Sequence, residues 1–271
     1  MARVILGLIL AALWATSLAA APQKSPDIAY GRDQLQTFDV YWDDATRNAP
    51  VIVMLHGGAW DFGDKTNRAV WRQKSRHWVP RGYVFVSVNT RLLPTPPGQQ
   101  AVDFARAVAL IQKSAARWGG DGSRVILMGH SAGAHIAALV AGDRSFQIRH
   151  DMKPVRGAVI LDTAALDLET LMAGNPSRMH RKAFGDDPAY WRQQSPAARL
   201  GRGGAPMLAV CSSRRREVCP MARDFAQGAA RLAVPVTVLP VPLRHGPLNR
   251  DLGKPSRYTE IVTRWIAERV R

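Results

Sequence analysis

The sequence predicts an α/β fold: a mostly parallel sheet covered by helices on both faces. Three observations carry that expectation. Apolar runs of strand length alternate with helix-length stretches from residue 35 onward, the rhythm of a sheet built from crossover units. The apolar run 51–55 leads directly into His56-Gly57-Gly58-Ala59-Trp60. The run 124–128 leads into Gly129-His130-Ser131-Ala132-Gly133 and then into a helix of small residues, 132–141. Open sheets of this class bind ligands at the carboxyl ends of their strands, where both glycine-rich turns fall.

In chain order, residues 1–21 read as a processing signal. Arg3 gives a positive start, 4–18 are apolar, and Ser17-Leu18-Ala19 offers a small-x-small cleavage site. The apolar stretch is too short for a stable membrane span, so an exported protein, periplasmic or secreted, without a transmembrane span after processing is expected. Residues 22–271 are expected to form a single domain, long enough for one full α/β core. Strands are expected at 35–42 and 51–55, a helix at 66–79, a strand at 83–88 and a long helix at 102–118. After the strand 124–128 and its helix comes a strand at 155–161. Residues 164–200, rich in Gly, Pro, Met and aromatics, break the rhythm and are expected to form a small cap. A strand at 207–211, a helix at 221–233, the strand Val236–Val241 and a helix at 256–270 complete the chain.

A hydrophobic content of 46% with 21% charged residues describes an ordinary globular protein. The charge is less ordinary, since 37 Lys+Arg against 21 Asp+Glu give +16. Such a surface suits electrostatic association with acidic cell-envelope surfaces. Nucleic acid is not expected as a partner: the arginines are scattered, Arg214-Arg215-Arg216 is their only run, and no nucleic-acid motif is present. Two cysteines in an exported chain favour a disulfide between Cys211 and Cys219. It would close a short loop and act by local rigidity. No histidine pair accompanies them at ligand spacing, so no metal is expected.

The two glycine-rich turns have a shared chemical logic. A G-x-S-x-G turn between strand and helix lifts the serine hydroxyl off the sheet, and its glycines avoid collision with neighbouring backbone. That makes Ser131 a candidate nucleophile. Acyl transfer also needs N–H donors aimed at the oxygen that becomes negative. Gly57, Gly58 and Ala132 are the candidates for this oxyanion hole.

With these motifs the chain resembles the α/β-hydrolase superfamily, in the branch of hormone-sensitive-lipase-like and kynurenine-formamidase-like (BD-FAE-type) serine esterases. The residues that carry the resemblance are H-G-G-A-W at 56–60, N-T-R-L-L-P at 89–94, Asp103, G-H-S-A-G at 129–133 and L-R-H-G-P-L-N at 243–249. The segment 183–192 and Ser195-Pro196 add to it, and it spans roughly residues 36–271. It implies an eight-stranded-type sheet, a serine carboxylesterase acting on small or medium acyl esters, and no cofactor. It also implies that Asp103 anchors the 89–94 loop, and that the triad runs serine, acid, histidine along the chain.

Of seven histidines, His245 alone follows the last strand and is the expected base. His130 and His56 read instead as packing and loop-shaping residues. The acid departs from the pattern: where these hydrolases carry Asp after the 207–210 strand, this chain has Cys-Ser-Ser-Arg-Arg-Arg-Glu. Glu217 is therefore the expected acid, with Asp162 at the end of the 155–161 strand as the alternative. Trp60, Phe62, Leu166, Met172 and Trp191 are candidate pocket walls. Cleavage of an N-formyl aromatic amine is the alternative activity, which HGGA rather than HGGG favours and export disfavours. A non-catalytic small-molecule receptor is the remote one.

Overall fold

The apolar runs assemble into one eight-stranded sheet in this computed structural model, which describes residues 22–271. The expected processing signal therefore lies outside the described residues. The strands are β1 (Gln23–Ala29), β2 (Thr37–Trp42), β3 (Ala49–Leu55), β4 (Val84–Val88), β5 (Gly120–His130), β6 (Gly157–Leu161), β7 (Met207–Ser212) and β8 (Val236–Val241). Their order in space is β1-β2-β4-β3-β5-β6-β7-β8. The two junctions at the β1 end are antiparallel, and every neighbouring pair from β4 to β8 is parallel.

Strand periodicity splits the core in two. Val51, Val53 and Leu55 of β3 enter one apolar cluster, with Val125 and Leu127 of β5. Ile52, Met54, Ile126 and Met128 enter the other. Alternate side chains of a strand point to opposite faces, so central strands buried on both sides are apolar throughout.

Helix α1 (Arg68–Trp78) covers the second face, while α2 (Pro97–Ser114) and α3 (Ala132–Gly142) cover the first. Every residue of α3 is buried, and its alanines let the helix lie close against the centre of the sheet. A further helix, α4 (Arg144–His150), starts where the Asp143 carboxylate accepts the Ser145 N–H at 2.9 Å. Residues 164–200 supply four short helices: α5 (Leu168–Ala173), α6 (Arg178–Phe184), α7 (Pro188–Gln194) and α8 (Pro196–Arg199). Then come α9 (Val218–Arg231) on the first face, the short α10 (His245–Arg250), and α11 (Arg257–Arg269) on the second.

Several features differ from the sequence expectation, among them β1, α2, α4 and the unexpected α10. β1, reading QKSPDIA, lacks a strand's apolar alternation because it is an exposed edge held only by β2. Helix α2 begins at Pro97, whose fixed φ suits a first helical position. Helix α4 is too short and polar to leave a periodic signal. Cys211 and Cys219 form a disulfide (Sγ–Sγ 2.03 Å) between β7 and α9. Asp103 receives the Arg91 guanidinium at 2.7 and 2.8 Å and the Arg91 N–H at 3.2 Å, which ties down the 89–94 loop.

Candidate active site

The turn from β5 into α3 is strained and tightly held. Ser131 has φ 55° and ψ −117°, a region that non-glycine residues seldom adopt, at a cost of roughly 1–3 kcal/mol. Its N–H donates to the Leu161 carbonyl of β6 at 2.9 Å, and the N–H groups of Ala134 and His135 return to its carbonyl at 3.0 and 3.1 Å. Gly133 lets this turn nest against the end of β3. A Cβ there would lie 2.2 Å from the His56 oxygen and 2.5 Å from the Leu55 oxygen.

The loop after β3 curls back on itself. Gly58 has φ 129°, and a Cβ on it would meet the Phe62 oxygen at 1.7 Å. The N–H groups of Asp61 and Phe62 both donate to the Gly58 carbonyl at 2.9 Å. His56, buried and thereby lowered in pKa, sets its Nδ1 2.7 Å from the Gly57 oxygen. The N–H groups of Gly57, Gly58 and Ala132 make none of the backbone hydrogen bonds that hold these turns. They remain available to a ligand.

On the other side of the site, His245 opens α10 just beyond β8. Its Nδ1 lies 2.6 Å from Oδ2 of Asp162, the residue that follows β6. Asp162 is buried and also has a positive φ, 56°. Its Oδ1 accepts the Ser212 N–H at 2.7 Å, and its Oδ2 accepts from Arg215 Nη1 at 2.9 Å. Burial would raise the carboxyl pKa. The hydrogen bonds from His245, Ser212 and Arg215, with the Arg215 charge, outweigh it and hold Asp162 below the usual carboxylate range.

The acid expected from the sequence, Glu217, is not the partner of the histidine. Its side chain is exposed, and its backbone carbonyl accepts the Met221 N–H at the start of α9. The physical reason lies in which side chain each strand end turns inward: the loop after β7 sends Arg215, not Glu217, toward the histidine, and Asp162 at the end of the neighbouring strand β6 supplies the carboxylate.

Two buried groups support this arrangement without leaving a motif. The His130 ring lies 4.4 Å from the His245 ring, tilted by 37°, with its Nε2 3.1 Å from the His245 carbonyl. Since a carbonyl can only accept, Nε2 carries the hydrogen. Burial first, then the neighbouring His245, pushes the His130 pKa down to about 3, so the ring is neutral. Lys74 is fully buried, and its Nζ donates to the Ala69 carbonyl at 3.0 Å and the Asn249 carbonyl at 2.7 Å. It joins α1 to the helix that carries His245. With no carboxylate in contact, burial lowers its pKa to about 7.

A cavity of about 520 Å³ brings together Gly57, Gly58, Ser131, Ala132, Asp162 and His245. Phe62 and Met179, 62% and 52% exposed, give its mouth an apolar lip, with Trp60 and His180 also in the wall. Leu166, Met172 and Trp191 do not line it. Leu166 and Met172 are buried in the core, and Trp191 packs against that core with its indole N–H 3.2 Å from the Phe184 carbonyl. One cavity thus holds a serine on a strained turn, a carboxylate-held imidazole and three backbone N–H groups outside the turns' own hydrogen bonds.

The chain is similar to several known esterases. Residues 38–171 match the BD-FAE family model. Esterase LipQ of Mycobacterium tuberculosis is 30% identical over 197 residues, 68% of this chain and 46% of that protein. Carboxylesterase NlhH of the same organism is 39% identical over 105 residues, 38% of this chain and 32% of that one. The chain thus spans about half the length, or less, of these curated relatives. A truncated carbohydrate esterase from gut microbiota superposes with a TM-score of 0.80 over 92% of this chain and 97% of its own, at 16% identity, a likeness of fold.

Proposed function

Because the chain belongs to the α/β-hydrolase superfamily, in its hormone-sensitive-lipase-like esterase branch, we propose that it is a serine carboxylesterase for small or medium acyl esters. The observation that carries this reading is the 2.6 Å contact between His245 and Asp162 in the same cavity as the strained Ser131 turn.

Ser131 Oγ attacks the ester carbonyl as His245 Nε2 takes its proton. Asp162, accepting from Nδ1, fixes the tautomer and balances the imidazolium that forms. The carbonyl oxygen, now negative, accepts from the N–H groups of Gly57, Gly58 and Ala132; removing one such donor typically costs about 3 kcal/mol in the transition state. Collapse expels the alcohol, which receives the proton from Nε2. Water then enters, gives its proton to the same nitrogen and attacks the acyl-enzyme; collapse returns that proton from Nε2 to Ser131 Oγ and releases the acid product. A 520 Å³ cavity is a small-molecule volume, and its apolar lip suits an acyl chain. The reading extends to location. The apolar leader and the Cys211–Cys219 disulfide support export, and the +16 charge supports association with acidic envelope surfaces.

A fluorophosphonate probe, with p-nitrophenyl acetate and butyrate as substrates, tests the chemistry on wild type and Ser131→Ala. Wild type is expected to take the label and turn over both esters. The variant is expected to lose labelling and on the order of 10⁶-fold in kcat. A folded wild type that takes no label and hydrolyses neither ester overturns the reading.

A further inference from the structure

Arg215 occupies an unusual place for a cation. Its Nη1 lies 2.9 Å from Asp162 Oδ2 and 3.1 Å from His245 Nδ1, and the guanidinium lines the cavity. A fixed positive charge there opposes the second positive charge that appears on His245 when it takes the serine proton. On its own, this is a poor neighbour for a general base.

The rest of the guanidinium is unspent. Its polar contacts all come from Nη1, to Asp162 Oδ2, to His245 Nδ1 and, at 3.4 Å, to the Asp162 carbonyl. Nε and Nη2 make none, and the side chain is 38% exposed. The two carboxylates of the cavity wall are already engaged. Asp162 accepts from Ser212, His245 and Arg215, and Asp64 accepts from Thr66 and Asn89. An incoming anion therefore meets free donors and no free carboxylate. The flanking Arg214, Arg216 and Arg244 are exposed and add to a field that draws anions toward this side.

We propose that Arg215 makes this site select esters that carry a carboxylate a short spacer from the scissile bond. The inference rests on the esterase reading. The carboxylate pairs with the free Nε and Nη2 edge, a geometry that guanidinium offers bidentately. Once paired, its negative charge offsets the guanidinium and removes the penalty on the imidazolium. The substrate's anion thus contributes to turnover as well as to binding, and the preference appears in kcat as well as in KM.

Monoethyl glutarate and its uncharged near-isostere ethyl 5-methylhexanoate, followed by pH-stat at neutral pH, test this in wild type, Arg215→Met and Arg215→Lys. In wild type the anionic ester is expected to lead by roughly tenfold to a hundredfold in kcat/KM, the range for a hydrogen-bonded charge pair. The lead is expected to shrink with added salt. Arg215→Met should abolish or invert it, and Arg215→Lys should keep part of it. If Arg215→Met does not fold, the wild-type lead and its salt dependence decide the matter. Equal rates on the two esters in wild type overturn the selectivity and leave the esterase reading standing. An unchanged ratio in Arg215→Met moves the selectivity to another residue and overturns the proposal. Failure of folded wild type on both esters overturns the esterase reading and this one with it.

Discussion

The two halves of the site are built by different means. The half formed by the ends of β3 and β5 is set by backbone: Gly133 abuts the His56 and Leu55 carbonyls, Gly58 turns at φ 129°, and Ser131 is held by its own N–H and carbonyl. The half formed by the ends of β6, β7 and β8 is set by side chains. There Asp162 gathers His245, Ser212 and Arg215, and His130 and Lys74 fix the backbone of α10. Backbone approach demands particular residues at particular spacings. A side-chain network demands only that a suitable group arrive from somewhere.

The contrast can be broken most sharply at the acid. Asp162→Asn is expected to lower kcat by about 10⁴-fold, since the amide leaves the imidazole in the wrong tautomer. Glu217→Gln is expected to stay within about twofold of wild type. Steady-state kinetics on p-nitrophenyl butyrate, with circular dichroism to check folding, decides between them. The reverse pattern would return the acid role to Glu217.

Glycines on the two halves should respond differently. Gly133→Ala forces a Cβ into two carbonyl oxygens and is expected to cost about 3 kcal/mol of stability, read by urea unfolding. Gly246, one residue after His245, has nothing within 4 Å of an added Cβ. Gly246→Ala should change stability by less than about 1 kcal/mol, in the stabilising direction because alanine is the better helix former.

The smallest effect concerns Lys74, which ties α1 to α10. Its folded pKa of about 7 lies below its ordinary value of 10.5. Between those values the unfolded chain holds a proton that the folded chain lacks, so this group makes stability rise with pH across the window. The slope from one such group is at most about 1.4 kcal/mol per pH unit. Urea unfolding at pH 7, 8 and 9 should show the rise in wild type and a flatter profile in Lys74→Met. Identical profiles would mean that the buried amine keeps its proton.

The same division governs what could be read from the chain. β4 and β7 lie within a single residue of their expected bounds because buried parallel strands must be apolar throughout, and β8, a half-exposed edge, matches its expected bounds through its β-branched alternation. The Gly129–Gly133 and His56–Trp60 turns were legible because their glycines answer to steric contacts that few other residues satisfy. β1 and α4 were not, since an exposed edge strand and a two-turn polar helix bury too little to imprint a pattern.

By itself, then, the sequence determined the sheet from β2 to β8, the two glycine-rich turns and the single histidine beyond the last strand. Each of these is a local demand of burial, sterics or chain order. Tertiary structure alone decided which carboxylate meets that histidine, and that a buried lysine, a neutral histidine and an arginine stand around it. Those partners arrive from separate elements: Asp162 from the end of β6, Arg215 from the loop after β7, His130 from the end of β5 and Lys74 from α1. No spacing along the chain encodes the distance between the ends of strands that become neighbours only on folding.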